Sequence, residues 1–360
     1  MSKRRLYLAG LLLLLAMPAL AQGDLQAESE LQTGIALTGK GNFADAIPHL
    51  KAASGKVHQE FAASFNLALC YVGTGQLSEA VHTLDELRAS GHDTADVNNL
   101  LAQSYVGSGQ MEKGREAFRR GVLLSPENER LYVFVAQACR AHRANDLEIE
   151  VLDLGIKNVP KSARLHYERA VLLLFLDQAD EAETDFRAVA TLAPESDLAY
   201  LATAQLSLSK GQVDDAISQA RVAIKNGHKD YMLLAILGEA LIRSGVSPGE
   251  SGFEEAKAAL EQSVGQRSNY PSAQIALGRL LLMQNSLDQA IVHLEIGRKM
   301  EPNGTAAYAS LISAYRRKGE IQKAAERTEQ LAKLNQTRAE QISGASGDRR
   351  TGYGLSVAHP

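Results

Sequence analysis

One stretch of the sequence comes within a single residue of a phosphate-binding loop. Residues 34–41 read Gly-Ile-Ala-Leu-Thr-Gly-Lys-Gly, so both glycines and the lysine of that motif are present. The motif also needs a serine or threonine after the lysine to hold magnesium, and it must follow a β-strand. Gly41 occupies that position, and the surrounding pattern is that of a helix followed by a turn. We therefore predict no nucleotide site and no cofactor.

The two cysteines and nine histidines could supply metal ligands or a disulfide. Cys70 and Cys139 fall on predicted helices that are separated by a whole helical repeat. Their Cα atoms should therefore lie beyond the roughly 7 Å that a disulfide spans, and both are predicted to be buried, inert thiols. The histidines are dispersed, and no His-Glu-x-x-His spacing occurs, so we predict no metal site. His58, His92 and His228 recur at one loop position of the repeat.

The sequence also offers no set of residues for hydrolytic chemistry. Its serines lack a Gly-x-Ser-x-Gly setting, and its acidic residues are spread over outer helix faces. A cryptic transferase would need a catalytic domain. Residues 27–338 are occupied by a helical repeat, and no span outside them is long enough to hold such a domain. We predict that the protein is not an enzyme.

Composition excludes further classes. The chain has 360 residues, 45% of them hydrophobic, which is too apolar for a largely disordered protein. Lysine and arginine number 38 against 42 aspartate and glutamate, a net charge of −4. This balance lacks the basic footprint of nucleic-acid binding, so no nucleic-acid partner is expected.

The first 21 residues have the three parts of a secretory signal peptide. Lys3-Arg4-Arg5 precedes a leucine-rich run, and Pro18-Ala19-Leu20-Ala21 supplies an Ala-x-Ala ending. The apolar run is too short to span a bilayer comfortably, so we expect cleavage after Ala21 and no stable membrane insertion. Arg4-Arg5 also resembles a twin-arginine export motif, but the leucine run favours the ordinary secretory route. The mature protein is expected in the periplasm or outside the cell.

The rest of the chain repeats itself with a period of about 34 residues, which is typical of a solenoid. Gly41, Gly75 and Gly109 are separated by this interval, and three prolines after residue 120 have the same spacing. Nine repeats fill residues 27–338, with starts at 27, 61, 95, 129, 163, 197, 231, 271 and 305. The seventh is longer than the others because Val246–Ser251 is inserted between its helices. Residues 339–360 are predicted to be a disordered tail.

Small residues recur at two places in each repeat. Position eight holds glycine or alanine in eight repeats, and position twenty does so in all except one of the repeats compared. Such residues allow two antiparallel helices to approach closely. Glycine after the first helix fits a left-handed cap, and proline after the second helix ends it. Repeat four departs most, with Arg143 at the glycine position and Glu148 at the alanine position.

This pattern resembles the tetratricopeptide repeat family over residues 27–338, which is most of the chain. The resemblance implies an all-α, right-handed superhelical solenoid of about nine helix-turn-helix units. It also implies that positions two, five, nine, twelve and thirteen of the first helices line a concave groove. The family's usual tryptophan at position four is absent throughout. The Lys and Asn arrangement by which some relatives clamp a C-terminal carboxylate is not reproduced here.

At those groove positions the centre of the chain offers a polar, locally basic strip. Its eight members are Asn99, Gln103, Arg130, Gln137, Arg140, Arg164, Tyr167 and Gln205. Amide side chains can pair with the backbone of an extended peptide, and arginine can fork onto a carboxylate. Helix faces also need polar residues for solubility alone, so both interpretations stay open. A second basic group toward the C-terminus comprises Arg243, Arg279, Arg316 and Arg317.

We therefore expect an exported scaffold or adaptor that binds a partner protein or extended peptide through its groove. The alternative is a periplasmic scaffold subunit of an envelope export machine, or of an outer-membrane or polysaccharide assembly machine. The inserted segment Val246–Ser251 could be a second contact or simply a tolerated loop.

Overall fold

The computed structural model describes residues 25–301 and 304–351, and these form eighteen α-helices and no β-strand. The helices come in nine pairs, which confirms the all-α solenoid prediction. The first helices of the pairs are α1 (25–39), α3 (Glu60–Gly73), α5 (Ala95–Gly107), α7 (Glu129–Ala141), α9 (Ala163–Phe175), α11 (Asp197–Ser209), α13 (Tyr231–Arg243), α15 (Pro271–Met283) and α17 (Tyr308–Lys318). The second helices are α2 (Phe43–Ala53), α4 (Leu77–Ala89), α6 (Met111–Leu124), α8 (Asn145–Asn158), α10 (Ala179–Leu192), α12 (Val213–Lys225), α14 (Ser251–Gln266), α16 (Leu287–Met300) and α18 (Ile321–Thr351).

The turn within each pair has a residue in the left-handed region just after the first helix, and the longer α13–α14 connection has a second one at Gly249. Gly75 has φ 75°, and the next N–H, that of Gln76, donates to the Tyr71 carbonyl at 2.8 Å. This is the six-to-one hydrogen bond that closes a helix C-terminus over a left-handed residue. Arg143 occupies the equivalent place with φ 56°, and Ala144 N–H still donates to the Cys139 carbonyl at 2.9 Å. The turn is therefore kept where its glycine is missing, although a side chain there costs free energy.

The close approach predicted from position eight is visible at three glycines. A Cβ placed on Gly238 would lie 2.4 Å from the Leu260 side chain, and one on Gly278 would lie 2.6 Å from Leu294. A Cβ placed on Gly34 would likewise lie 2.6 Å from the Leu50 side chain. In each case a leucine of the second helix fills the space that a larger residue would occupy.

The chain divides into two compact units, residues 1–185 and 186–360. The sequence predicted one continuous array over residues 27–338. Repeats in a solenoid contact mainly their neighbours, so packing is local and separate units can form within one array. The first unit has a core around Phe118 and Tyr132, whose rings meet edge to face at 5.9 Å. The second has one around Leu294 and Leu311.

The C-terminal end of the described chain differs from the sequence prediction. Residues 339–351 were predicted to be disordered, but α18 continues through them to Thr351. No proline occurs between Pro302 and Pro360 to stop it, and residues 339–341 are the good helix formers Ala, Glu and Gln. Residues 1–21 and 352–360 lie outside the described part. None of the described helices has the length and apolar character needed to cross a membrane.

Candidate interaction surface

Seven of the eight predicted groove residues lie on three consecutive first helices of the first unit. Helix α5 carries Asn99 and Gln103, α7 carries the three members between 130 and 140, and α9 carries Arg164 and Tyr167. Helix α7 contacts both α5 and α9, so the structure brings these residues onto neighbouring helices. Gln205 lies in the second unit on α11 and is half-buried.

Burial separates the seven residues into two kinds. Asn99 is 6% exposed and Tyr167 is 7% exposed, so neither side chain presents a surface to a partner. Asn99 instead accepts a hydrogen bond from the Gln103 amide at 3.1 Å. Arg130 and Gln137 are exposed, and the remaining three are half-buried. The surface available to a partner is therefore narrower than the predicted strip, because packed first helices have little free face.

Two of the arginines are engaged within the protein. Arg140 pairs with Glu148 at 2.7 Å and with Glu168 at 2.6 Å. Arg164 pairs with the other oxygen of Glu168, also at 2.6 Å. We call Arg140, Glu148, Arg164 and Glu168 the buried ion cluster, since the two glutamate side chains are 0% and 3% exposed. The strip is thus charge-balanced at Arg140 and Arg164 and not basic there.

Sequence reasoning missed both carboxylates of this cluster. Glu168 lies on α9 next to Tyr167, at a position that was not assigned to the groove. Glu148 stands at the position where the other repeats compared carry alanine or glycine, and this departure is the signal that the sequence offers. Burial raises the pKa of Glu148, and Arg140 only partly opposes this. Burial by itself would lower the pKa of Arg140, but Glu168 and Glu148 outweigh it and raise that pKa.

Arg130 differs from its two neighbours. It lies over the ring of Phe134, with 5.5 Å between the guanidinium carbon and the ring centroid. Within residues 25–301 and 304–351 it forms no ion pair, so its charge is not neutralised locally. The Arg164 side chain is paired with Glu168 but is still 40% exposed, so it also contributes to this surface. Arg130, Phe134, Gln137 and Arg164 are hereafter the α7–α9 surface, which can bind anionic or amide groups.

The second basic group lies entirely in the second unit and is also partly neutralised. Glu239 pairs with Arg243 at 2.9 Å and with Arg279 at 2.8 Å. These three residues form the surface ion triplet, in which the glutamate side chain is 21% exposed. Arg317 donates to the Leu282 carbonyl at 2.8 Å, while Arg316 is exposed.

The loop histidines have a shared structural role that the sequence did not reveal. His58 donates its backbone N–H to Glu28 at 2.9 Å, and the Glu28 carboxylate also lies 3.1 Å from the ring Nδ1. His228 pairs in a similar way with Asp197. His92 stacks on Phe61 with 4.9 Å between ring centroids. All three reach back to the first helix of their own repeat.

The glycine-rich stretch and the two cysteines lie in helices or in a turn between them. Residues 34–39 lie in helix α1 and Gly41 forms its left-handed turn, so no strand precedes the glycine-rich stretch. Cys70 and Cys139 are free and buried, and burial raises the pKa of Cys139 to about 12. A thiol with that pKa is not a thiolate near neutral pH. In the described parts of the chain, no group of three histidine, cysteine or acidic residues could hold a metal ion.

Comparisons with known proteins agree with this repeat architecture. Two family models, both described as tetratricopeptide repeat, match the chain, one at residues 37–104 and 250–315 and the other at residues 99–163 and 167–231. No curated protein sequence matches this chain.

Three solved structures are among those similar to this chain. The crystal structure of APC/C hetero-tetramer Cut9-Hcn1 is 15% identical over 76% of this chain, with a TM-score of 0.48, and the match spans 52% of that chain. A tetratricopeptide repeat protein from Parabacteroides merdae is 18% identical over 81% of this chain and 99% of its own, with a TM-score of 0.45. YrrB, described as a TPR protein with an unusual peptide-binding site, is 17% identical over 54% of this chain and 97% of its own, with a TM-score of 0.35.

Proposed function

Since the chain belongs to the tetratricopeptide repeat family, we propose that it is an exported interaction scaffold that binds a partner protein or extended peptide on its first helices. Proteins of this family are generally non-enzymatic scaffolds. The observation that carries the proposal is the α7–α9 surface, where Arg130 is exposed and lacks an internal ion pair within the described residues.

The α7–α9 surface combines three kinds of contact. Phe134 is 37% exposed and offers an apolar ring, Gln137 offers an exposed amide, and Arg130 offers an unneutralised charge. Aromatic and arginine side chains are the residue types that most often anchor protein interfaces. An extended segment with a carboxylate, amide groups and an apolar side chain satisfies all three.

The test is site-specific photocrosslinking in living cells. A photoreactive residue at Gln137 should capture a discrete partner, whereas one at Asp146, exposed on second helix α8, should not. Adding Arg130→Glu should abolish the Gln137 adduct while the thermal unfolding temperature stays unchanged, since Arg130 holds no ion pair to the described protein. Equal adducts at Gln137 and Asp146, or an adduct that survives Arg130→Glu, would contradict the proposal. An outer-membrane protein in the adduct would favour the envelope-machine alternative.

Export is the second part of the proposal and rests on the first 21 residues. Their cationic start, apolar run and Ala-x-Ala ending support cleavage after Ala21. Cleavage would remove Lys3, Arg4 and Arg5 and so make the mature chain more acidic. An intact mass of the protein recovered from the periplasm should match a chain that starts near Gln22. A full-length mass there would overturn this part alone.

A further inference from the structure

A cleft opens in the second unit between the second helices α14 and α16, with α15 as its floor. Its volume is about 400 Å³, within the size range of ligand sites in proteins. Leu277 and Leu281 form the floor, and Val264 and Val292 line the two walls. Val292 is 56% exposed, so an apolar wall faces solvent. The cleft involves no residue of the α7–α9 surface.

Hydrogen bonds fix the polar character of His293 at one edge of this cleft. The Gln274 amide nitrogen donates to the Ser268 carbonyl at 2.7 Å, so its oxygen is free to accept. That oxygen lies 2.7 Å from His293 Nδ1, which must therefore carry the proton. In the neutral ring, Nε2 is then an acceptor. Burial lowers the pKa of His293, and Glu261 opposes this only partly, so the ring is neutral near pH 7.

The remaining polar residues of the cleft are acidic or neutral. Glu261 on α14 is exposed and contributes a carboxylate, and Gln289 on α16 contributes an amide. No lysine or arginine of the described chain lines the cleft. Its charge is therefore negative, with hydrogen-bond acceptors on both walls above an apolar floor.

We propose that the α14–α16 cleft receives a lysine or arginine side chain of a partner protein. The aliphatic stem lies on Leu277 and Leu281, and the cationic head reaches the Glu261 carboxylate and the His293 Nε2 acceptor. Long basic side chains combine an apolar stem with a charged end, which matches both features of the cleft. An acidic side chain would be repelled by Glu261, and a purely apolar one would leave these acceptors without a donor.

Gly265 offers a way to close the cleft without disturbing the fold. It lies in the last turn of α14, its backbone is outside the left-handed region, and an added Cβ meets nothing within 4 Å. Since it lines the cleft, Gly265→Leu fills the space that the basic side chain would use. Leucine is also a better helix former than glycine, so this variant should fold.

The experiment uses methyl NMR on the full-length mature chain with three short acetylated peptides. They have the sequence Gly-Leu-X-Leu-Gly, with lysine, norleucine or glutamate at X. The lysine peptide should shift the methyl signals of Leu277, Leu281, Val264 and Val292. The norleucine peptide should bind about fivefold more weakly, as expected for the loss of one exposed ion pair.

Two variants provide the controls. Glu261→Gln should weaken the lysine peptide about fivefold, whereas Glu254→Gln, the same change at an exposed position of α14 outside the cleft, should not. Gly265→Leu should abolish the methyl shifts while the rest of the spectrum is retained. Absence of shifts in the wild-type protein, equal binding of the three peptides, or binding unaffected by Glu261→Gln would overturn the proposal.

Discussion

The buried ion cluster of the first unit and the surface ion triplet of the second use the same residue types differently. In each, one glutamate receives two arginines. The Glu168 side chain is 3% exposed, whereas that of Glu239 is 21% exposed; the arginine side chains are between 36% and 47% exposed in both regions. Pairs shielded from water stabilise or destabilise a fold strongly, while exposed pairs contribute little. Burial of the shared carboxylate, and not the number of pairs, therefore decides how much such a group contributes to stability.

The largest expected effect comes from removing the shared carboxylate in each region. Glu168→Gln should lower the free energy of unfolding by about 3 kcal/mol, because the charge that Arg140 and Arg164 share lies on a side chain that is only 3% exposed. Glu239→Gln should cost less than about 1 kcal/mol, because its carboxylate is 21% exposed and water already screens its pairs. Urea denaturation followed by circular dichroism measures both, and amide exchange in α7 and α9 locates the first. Equal losses would remove the distinction between the two regions.

A smaller effect is expected at Glu148, where most repeats carry alanine. Glu148→Ala restores the repeat pattern, yet it should destabilise the protein by about 2 kcal/mol, because Arg140 loses one of its two carboxylates. The same denaturation experiment measures this. The double variant Arg140→Met with Glu148→Ala should recover part of the loss, since no charge is left unpaired. A stabilised Glu148→Ala variant would show that the cluster does not support repeat four.

The left-handed turns provide a third comparison between the units. Arg143→Gly should raise the free energy of unfolding by about 1 kcal/mol, because glycine adopts φ 56° without steric cost. Gly211→Ala, at the equivalent turn of the second unit with φ 72°, should lower it by about the same amount. Thermal unfolding of both variants is sufficient. An Arg143→Gly variant that is no more stable than the wild type would mean that the arginine side chain makes up for its backbone strain.

The smallest expected effect is a contrast in pH dependence within the first unit. Burial raises the pKa of Glu148 above its ordinary 4.5, so the stability contributed by its protonated form is lost as the pH rises through the raised value. For Asp185, burial would raise the pKa, but hydrogen bonds from His166 and Arg169 outweigh it and lower the pKa below 3.8. Its contribution is lost as the pH falls through that lowered value.

Stability measured from pH 3 to pH 6 therefore separates the two carboxylates. The difference in the free energy of unfolding between wild type and Glu148→Gln should shrink as the pH rises above 4.5. The corresponding difference between wild type and Asp185→Asn should shrink as the pH falls below 3.8. Each change should be about 1 kcal/mol or less. Parallel profiles for the two variants would contradict the assigned directions.

Local features of the fold could be predicted from the sequence because they recur in one repeat after another. Gly75 and Gly109 reveal the left-handed turn, and Gly238 and Gly278 reveal the close helix contact, without knowledge of any distant neighbour. The all-α solenoid follows from the repeat period of about 34 residues, and the resemblance to the repeat family follows from the residue types that recur with it. The glycines and low apolar content of the tail predict disorder, whereas the absence of proline between Pro302 and Pro360 allows α18 to continue beyond residue 338.

The candidate surface was harder to predict because it depends on how helices rotate against one another. Arg140 meets Glu168 only because α7 and α9 pack side by side at a particular angle, which the repeat pattern does not specify. The same packing buries Asn99 and Tyr167, which the family pattern placed in an open groove. The cleft residues Glu261 and His293 lie on second helices, where no groove was expected.

The shared left-handed turn also affects how such a chain can change its length. Gly75 and Gly109 occupy the same position of successive repeats and have φ 75° and 78°. If the chain up to Gly75 were joined to the chain that follows Gly109, one repeat would be lost and the same turn between a first and a second helix would be formed again. Duplication or loss of such a block therefore makes no new kind of junction, and the gene can lengthen or shorten in whole repeats. The insertion Val246–Ser251 is a change that block exchange alone does not produce.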